Sequence, residues 1–133
     1  MAVIEIKNAT FTYPNAQKAA IQDASIKVEK GQFVVLFGPS GSGKSTLLRL
    51  LKKDIQPYGE LKGEIIVNGQ DLQSSKDPLG NVGFVFQDPE NQVVADDVLH
   101  EVVFGLENMG LSTNEMRGRV AEMVHFFGVE PLL

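Results

Sequence analysis

The segment that most constrains this chain is Gly38-Pro39-Ser40-Gly41-Ser42-Gly43-Lys44-Ser45-Thr46. It satisfies G-x-x-x-x-G-K-[S/T], with an apolar run before it and leucines at helical spacing after it, which is the context such a loop requires. Three glycines open backbone conformations closed to other residues, so successive N–H groups can turn inward around an anion. A helix starting near Lys44 aims its free N–H groups and positive dipole end at the same point. Lys44 adds a mobile full charge for outer phosphates. Ser45 offers a hydroxyl to magnesium, which takes hard oxygen ligands shared with those phosphates. The implied ligand is a nucleoside triphosphate with magnesium. Gly38, Pro39, Ser40, Gly41, Ser42, Gly43, Lys44, Ser45 and Thr46 are the candidate binding residues.

The rest of the sequence sets this loop in an α/β frame. Ala2–Lys7 and Ser25–Val28 alternate as half-buried strands do, and the continuous apolar run Phe33–Phe37 reads as a strand covered on both faces. Glu64–Val67 ends at Asn68-Gly69, a hairpin signal, and Val82–Phe86 reads as a further strand. From about residue 88 the pattern turns helical. Val98, Leu99, Val102, Val103 and Leu106 share one face behind a cap at Asp96 or Asp97. Ser112 and Glu115 form a capping box for a second helix that Gly128 and Pro131 terminate. The expected organisation is a β and phosphate-loop portion over residues 1–87, then the beginning of an α-helical subdomain over 88–133.

Composition narrows the function. With no cysteine, thiolate chemistry and disulfides are excluded, and His100 and His125 are too far apart in sequence to suggest a metal site. The longest apolar run is far short of the roughly twenty residues of a membrane span, and no secretory leader is legible, so a soluble cytoplasmic protein is expected. Residues 1–56 carry eight Lys/Arg against four Asp/Glu, and residues 57–133 carry four against thirteen. That acidic second part argues against a nucleic-acid partner, while the basic part holds the loop.

Two positions outside the loop discriminate among nucleotide binders. Tyr13 stands 31 residues before Lys44 at the end of the first strand. An aromatic there can stack on a flat base, or simply pack on the core. Gln87 follows the apolar strand 43 residues after Lys44. Its carbonyl oxygen can ligand magnesium or orient water, or stand as a solvated loop residue.

In order and spacing, these positions resemble the ATP-binding cassette family, with an aromatic for adenine, a Walker A loop and a Q-loop glutamine. The resemblance implies that Tyr13 stacks on adenine, that Gly38–Thr46 hold the phosphates, and that Ser45 and Gln87 reach magnesium. It implies an ABC ATPase fold with a phosphate-loop core, an antiparallel β subdomain and the start of a helical subdomain. Phe86-Gln87-Asp88-Pro89-Glu90-Asn91-Gln92 and Val102-Val103-Phe104-Gly105-Leu106-Glu107-Asn108 are similar to the ATPase subunits of energy-coupling-factor and cobalt-type importers, which take up vitamins and metal ions. Glu101 and Val103 stand where that subgroup often has aspartate and alanine. The likeness implies a second ATPase subunit as partner, in a homo- or heterodimer. It also implies a transmembrane coupling subunit docked on residues 87–105, at the inner face of the cell membrane.

No L-S-G-G-Q string occurs. Leu111-Ser112-Thr113-Asn114-Glu115 lacks both glycines and reads as a helix cap. Val93-Val94-Ala95-Asp96-Asp97 is too short and too early for a Walker B strand, and no switch histidine is assignable. No catalytic residue is therefore assigned in this chain. A complete cassette is nearly twice as long, so the expectation is an amino-terminal portion that binds ATP with little turnover alone. With no Walker B strand beside it, Phe33–Phe37 is expected to leave an apolar edge prone to self-association. Two alternatives remain: a nucleoside monophosphate kinase-like phosphotransferase, though only Arg49, Arg117 and Arg119 are available to clamp nucleotides, and a non-catalytic nucleotide-regulated interaction module.

Overall fold

The computed structural model describes residues 2–74 and 82–133, which fall into two compact units divided between Val82 and Gly83. The first unit is an antiparallel sheet carrying one short helix. Its strands are β1 (Ala2–Thr12), β2 (Ile21–Glu29), β3 (Glu60–Val67) and the two-residue β4 (Gln70–Asp71), in the spatial order β2-β1-β3-β4. Helix α1 (Lys44–Leu50) follows the phosphate loop, and a 3-10 turn occupies Lys53–Ile55.

β1 runs five residues beyond the alternation legible in the sequence, because a bulge shifts its inward face. Ile6 is buried, then Ala9 and Phe11, an even-to-odd change between Ile6 and Ala9 where the pairing register slips on both sides. Asn8 sits at this slip with φ 49°, its amide donating to Ser25 Oγ and its side chain to Asp23 Oδ1, each at 2.9 Å. Opposite it stands Gly63, where a Cβ would come within 2.5 Å of the carbonyl oxygens of Lys7 and Asn8. The bulge keeps apolar side chains on one face along the whole strand.

That face makes the core with α1. Leu47 and Leu50 of the helix join Ile6, Ala9, Phe11, Ile21, Ile65, Val67 and Leu72 in one buried cluster. Each of these side chains other than Ala9 contributes about 1.5–3 kcal/mol when fully withdrawn from water. Leu48, on the other side of α1, is exposed. Packing Leu47 and Leu50 fixes the helix on the sheet and thereby fixes the loop that precedes it. The Asn68-Gly69 turn joins β3 to β4 with both residues at positive φ, as the sequence suggests.

Two expected strands do not form. Phe33–Phe37 and Val82–Phe86 belong to no sheet, and among the described residues neither has a ladder partner. A strand exists only through hydrogen bonds to a neighbour, and the order β2-β1-β3-β4 places none beside either segment. All five side chains from Phe33 to Phe37 are exposed, Phe33 at 93% and Phe37 at 89%. Val82 instead packs partly against the first unit's core, and its carbonyl accepts from Lys52 Nζ at 3.0 Å.

The second unit pairs α2 (Val98–Asn108) with α3 (Thr113–Phe127), between 3-10 turns at Pro89–Gln92 and Glu130–Leu132. Asp97 caps α2 by accepting from the His100 amide at 2.9 Å. The capping box of α3 is complete, and Gly128 at φ 65° closes that helix. Val120 and Val124 of α3 are buried, whereas α2 buries none of its side chains fully.

Candidate nucleotide-binding site

The site starts from backbone geometry. Gly41 at φ 80° and Gly43 at φ 94° hold the left-handed conformations that turn the loop, and Gly43 is the residue that opens α1. No side chain caps this helix end. A Cβ on Gly43 would lie 2.5 Å from the Ala20 carbonyl oxygen and 2.8 Å from Ile21 Cδ1. Glycine is therefore required here twice, by conformation and by close approach to the start of β2.

Lys44 closes over the loop. Its Nζ donates to the carbonyl oxygens of Gly38 at 2.9 Å and Pro39 at 2.8 Å, and to Ser42 Oγ at 3.3 Å. An ammonium has three donors. Two are held by short bonds to backbone, and the longest bond, to Ser42, is the one a phosphate oxygen can replace. Ser45 is exposed in the first turn of α1, next to Lys44. Glycines in left-handed conformations, a stapled lysine and an adjacent free-facing hydroxyl form a donor set that fits a polyphosphate and its magnesium.

Tyr13 belongs to the same unit. Its hydroxyl lies 2.9 Å from Thr46 Oγ1, and its ring meets Phe11 edge-on, with centroids 5.0 Å apart and planes at 86°. Tyr13 keeps 37% of its surface exposed, and it lines an open cleft of about 550 Å³ with Thr12, Pro14, Asn15, Tyr58 and Glu60. The structure thus brings the aromatic beside the phosphate helix across 33 residues of sequence.

Gln87 lies in the second unit, exposed. The residue that organises its segment is one whose local role the sequence does not signal. Gln92 Oε1 accepts from the Phe86 amide at 2.6 Å, and Gln92 Nε2 donates to the Phe84 carbonyl at 3.2 Å. Glu101 acts similarly further on, accepting from the amides of Val94 and Ala95 at 2.8 Å each. Those two bonds hold its carboxyl below the ordinary carboxylate range. Nothing in periodicity or motif marks either residue as a backbone clamp.

A G-x-x-x-x-G-K-[S/T] loop turned by left-handed glycines, leading into a helix packed on an antiparallel sheet, defines the phosphate-loop class of α/β proteins. Comparison with known proteins gives the family. The family model described as "ABC transporter" matches residues 21–132. A putative ABC transporter ATP-binding protein of Bacillus anthracis is 43% identical over 135 residues, covering all of this chain and 24% of that protein. The energy-coupling factor transporter ATP-binding protein EcfA1 of Mycoplasmopsis synoviae is 38% identical over 133 residues, covering 96% of this chain and 48% of that protein. Among solved structures, cbiO1 of Clostridium perfringens, part of the ABC transporter complex cbiONQ, superposes with a TM-score of 0.77 at 26% identity. That match covers 98% of this chain and 52% of the other. The chain belongs to the ABC transporter family. It spans about a quarter of the length of the first of these curated relatives and about half of the second.

Proposed function

We propose that this chain binds ATP with magnesium as the amino-terminal portion of the nucleotide-binding subunit of an energy-coupling-factor-type importer. The observation that carries this reading is the Lys44 ammonium held over a loop turned by Gly41 and Gly43. Gly38–Thr46 hold the phosphates, Tyr13 offers its ring to adenine, and Ser45 supplies an oxygen to magnesium. ATP hydrolysis by the assembled subunit powers uptake of a vitamin or metal ion. Likeness to a protein named as an energy-coupling factor subunit supports that class over a nucleotide kinase.

Its partners are a second ATPase subunit and a transmembrane subunit docking on residues 87–105, at the cytoplasmic face of the membrane. Supporting the docking surface, Val93 and Val94 are 60% and 64% exposed, and Val98 and Leu99 are also open to solvent. Among the described residues no helix is long and apolar enough to cross a membrane itself. Turnover needs groups beyond those recognised in these residues, because phosphoryl transfer depends on a held metal and an oriented water. The chain alone therefore binds without sustained hydrolysis.

Calorimetric titration with ATP and magnesium tests the binding, and phosphate release by the pure chain tests the rest. Steady release abolished by Lys44→Ala would contradict the binding-only assignment. Co-purification with the membrane subunit, lost in Val94→Asp while ATP affinity persists, tests the docking surface.

A further inference from the structure

Thr46 is an unusual member of the loop. It is nine-tenths buried, and its hydroxyl lies 2.9 Å from that of Tyr13. The geometry points to Thr46 as a positioning residue for the nucleobase, a latch that sets the Tyr13 ring from the phosphate helix. This rests on the reading of Gly38–Thr46 as the nucleotide site.

A tyrosine at the end of a strand has two free torsions, and an exposed ring samples several rotamers. A stacking surface that must be ordered on binding lowers affinity by the entropy of that ordering, and one already fixed does not. Tyr13 is fixed at two points. Thr46 holds the hydroxyl end, and Phe11, itself 1% exposed, holds the ring at right angles. The remaining surface faces the cleft shared with Asn15 and Tyr58. Thr46 stands two residues after Lys44 on the first turn of α1, and Leu47 and Leu50 anchor that helix on the sheet. The ring at the end of β1 is thereby tied to the helix that carries Lys44. The distance between base and phosphate subsites is set before a nucleotide arrives.

The latch makes a distinction that a general structural role does not. Thr46→Val keeps the shape and removes the bond, and Tyr13→Phe keeps the ring and removes the same bond from the other side. Each is expected to weaken ATP binding roughly two- to tenfold, the range for immobilising one side chain. The double variant is expected to lose no more than either single, because both remove one interaction. Inorganic tripolyphosphate, which has no base, is expected to bind Tyr13→Phe as it binds the parent chain, and Thr46→Ser is expected to restore ATP affinity. Calorimetric titration of the chain with ATP and with tripolyphosphate reads these effects. Additive losses, or a loss of tripolyphosphate affinity in Tyr13→Phe equal to its loss for ATP, would overturn the latch. A parent chain that binds neither ligand, or a Lys44→Ala variant that binds both normally, would instead overturn the nucleotide site beneath it.

Discussion

The Nζ of Lys44 lies 2.9 Å from the carbonyl oxygen of Gly38, the residue that opens the phosphate loop. With the companion bond to Pro39 at 2.8 Å, the lysine staples the loop as well as charging it. Ser42, whose amide bonds to the Pro39 carbonyl at 3.2 Å, shares that staple. Lys44→Ala should therefore loosen the loop before any ligand is added. Faster hydrogen exchange at the Ser42 amide, with exchange in β1 and β3 unchanged, is the expected signature. Unchanged exchange at Ser42 would show that the loop holds itself.

Gly43 opens α1 at φ 94°, against the Ala20 carbonyl. Gly43→Ala should cost about 1–3 kcal/mol, the usual range for a strained backbone position. Urea denaturation measures it, and Gly41→Ala provides the comparison. Gly41 has the same backbone hand, but nothing lies within 4 Å of its added Cβ. The smaller loss belongs to Gly41.

Gln92 holds the backbone on either side of Val85. Gln92→Ala should remove its bonds to the Phe86 amide and the Phe84 carbonyl, at about 0.5–1.5 kcal/mol per bond. Amide exchange at Phe86 should rise in this variant and be largely restored in Gln92→Glu, which keeps the acceptor for that amide while losing the donor to Phe84. Docking experiments on this segment are accordingly better made at Val94, whose side chain is exposed, than at Gln92.

The helical unit should respond to acid. Ser112's hydroxyl and amide hold the Glu115 carboxyl below its ordinary value of 4.5, and the amides of Ala95 and Val94 do the same for Glu101. A depressed folded value means that the stabilisation is complete above the ordinary value and fades as pH falls through the folded one. Helix content should therefore decline below about pH 4.5, and Glu115→Gln should flatten that decline. His100 behaves in the opposite sense. Asp97 raises it above 6.5, so its contribution is full below that pH and fades as pH rises through the folded value. Circular dichroism across pH 3 to 9 reads both limbs; a Glu115→Gln variant with the parent's acid limb would contradict the first.

Local chemistry was the part of the fold legible in the sequence. The loop glycines, the Asn68-Gly69 turn, the Asp97 cap and the Ser112–Glu115 capping box each follow from a few adjacent residues. What depends on neighbours was not legible. The bulge at Asn8 hid the second half of β1 because it breaks the alternation that reveals a strand. Phe33–Phe37 and Val82–Phe86 have strand composition, but a strand also needs a ladder. In the site, the loop could be read residue by residue. The clamps of Gln92 and Glu101 could not, because a side-chain amide or carboxylate gives no sequence sign of which backbone group it meets. Tyr13 was visible as an aromatic at the end of the first strand; its bond to Thr46 was visible only in three dimensions.

Binding of ATP with magnesium by the Gly38–Thr46 loop through Lys44 is tested most directly by isothermal titration of the parent chain and of Lys44→Ala. One ATP per chain, bound at least tenfold more weakly by the variant, is expected from loss of a charged hydrogen-bond donor worth about 1.5–3 kcal/mol. Equal affinity in the two proteins would contradict it.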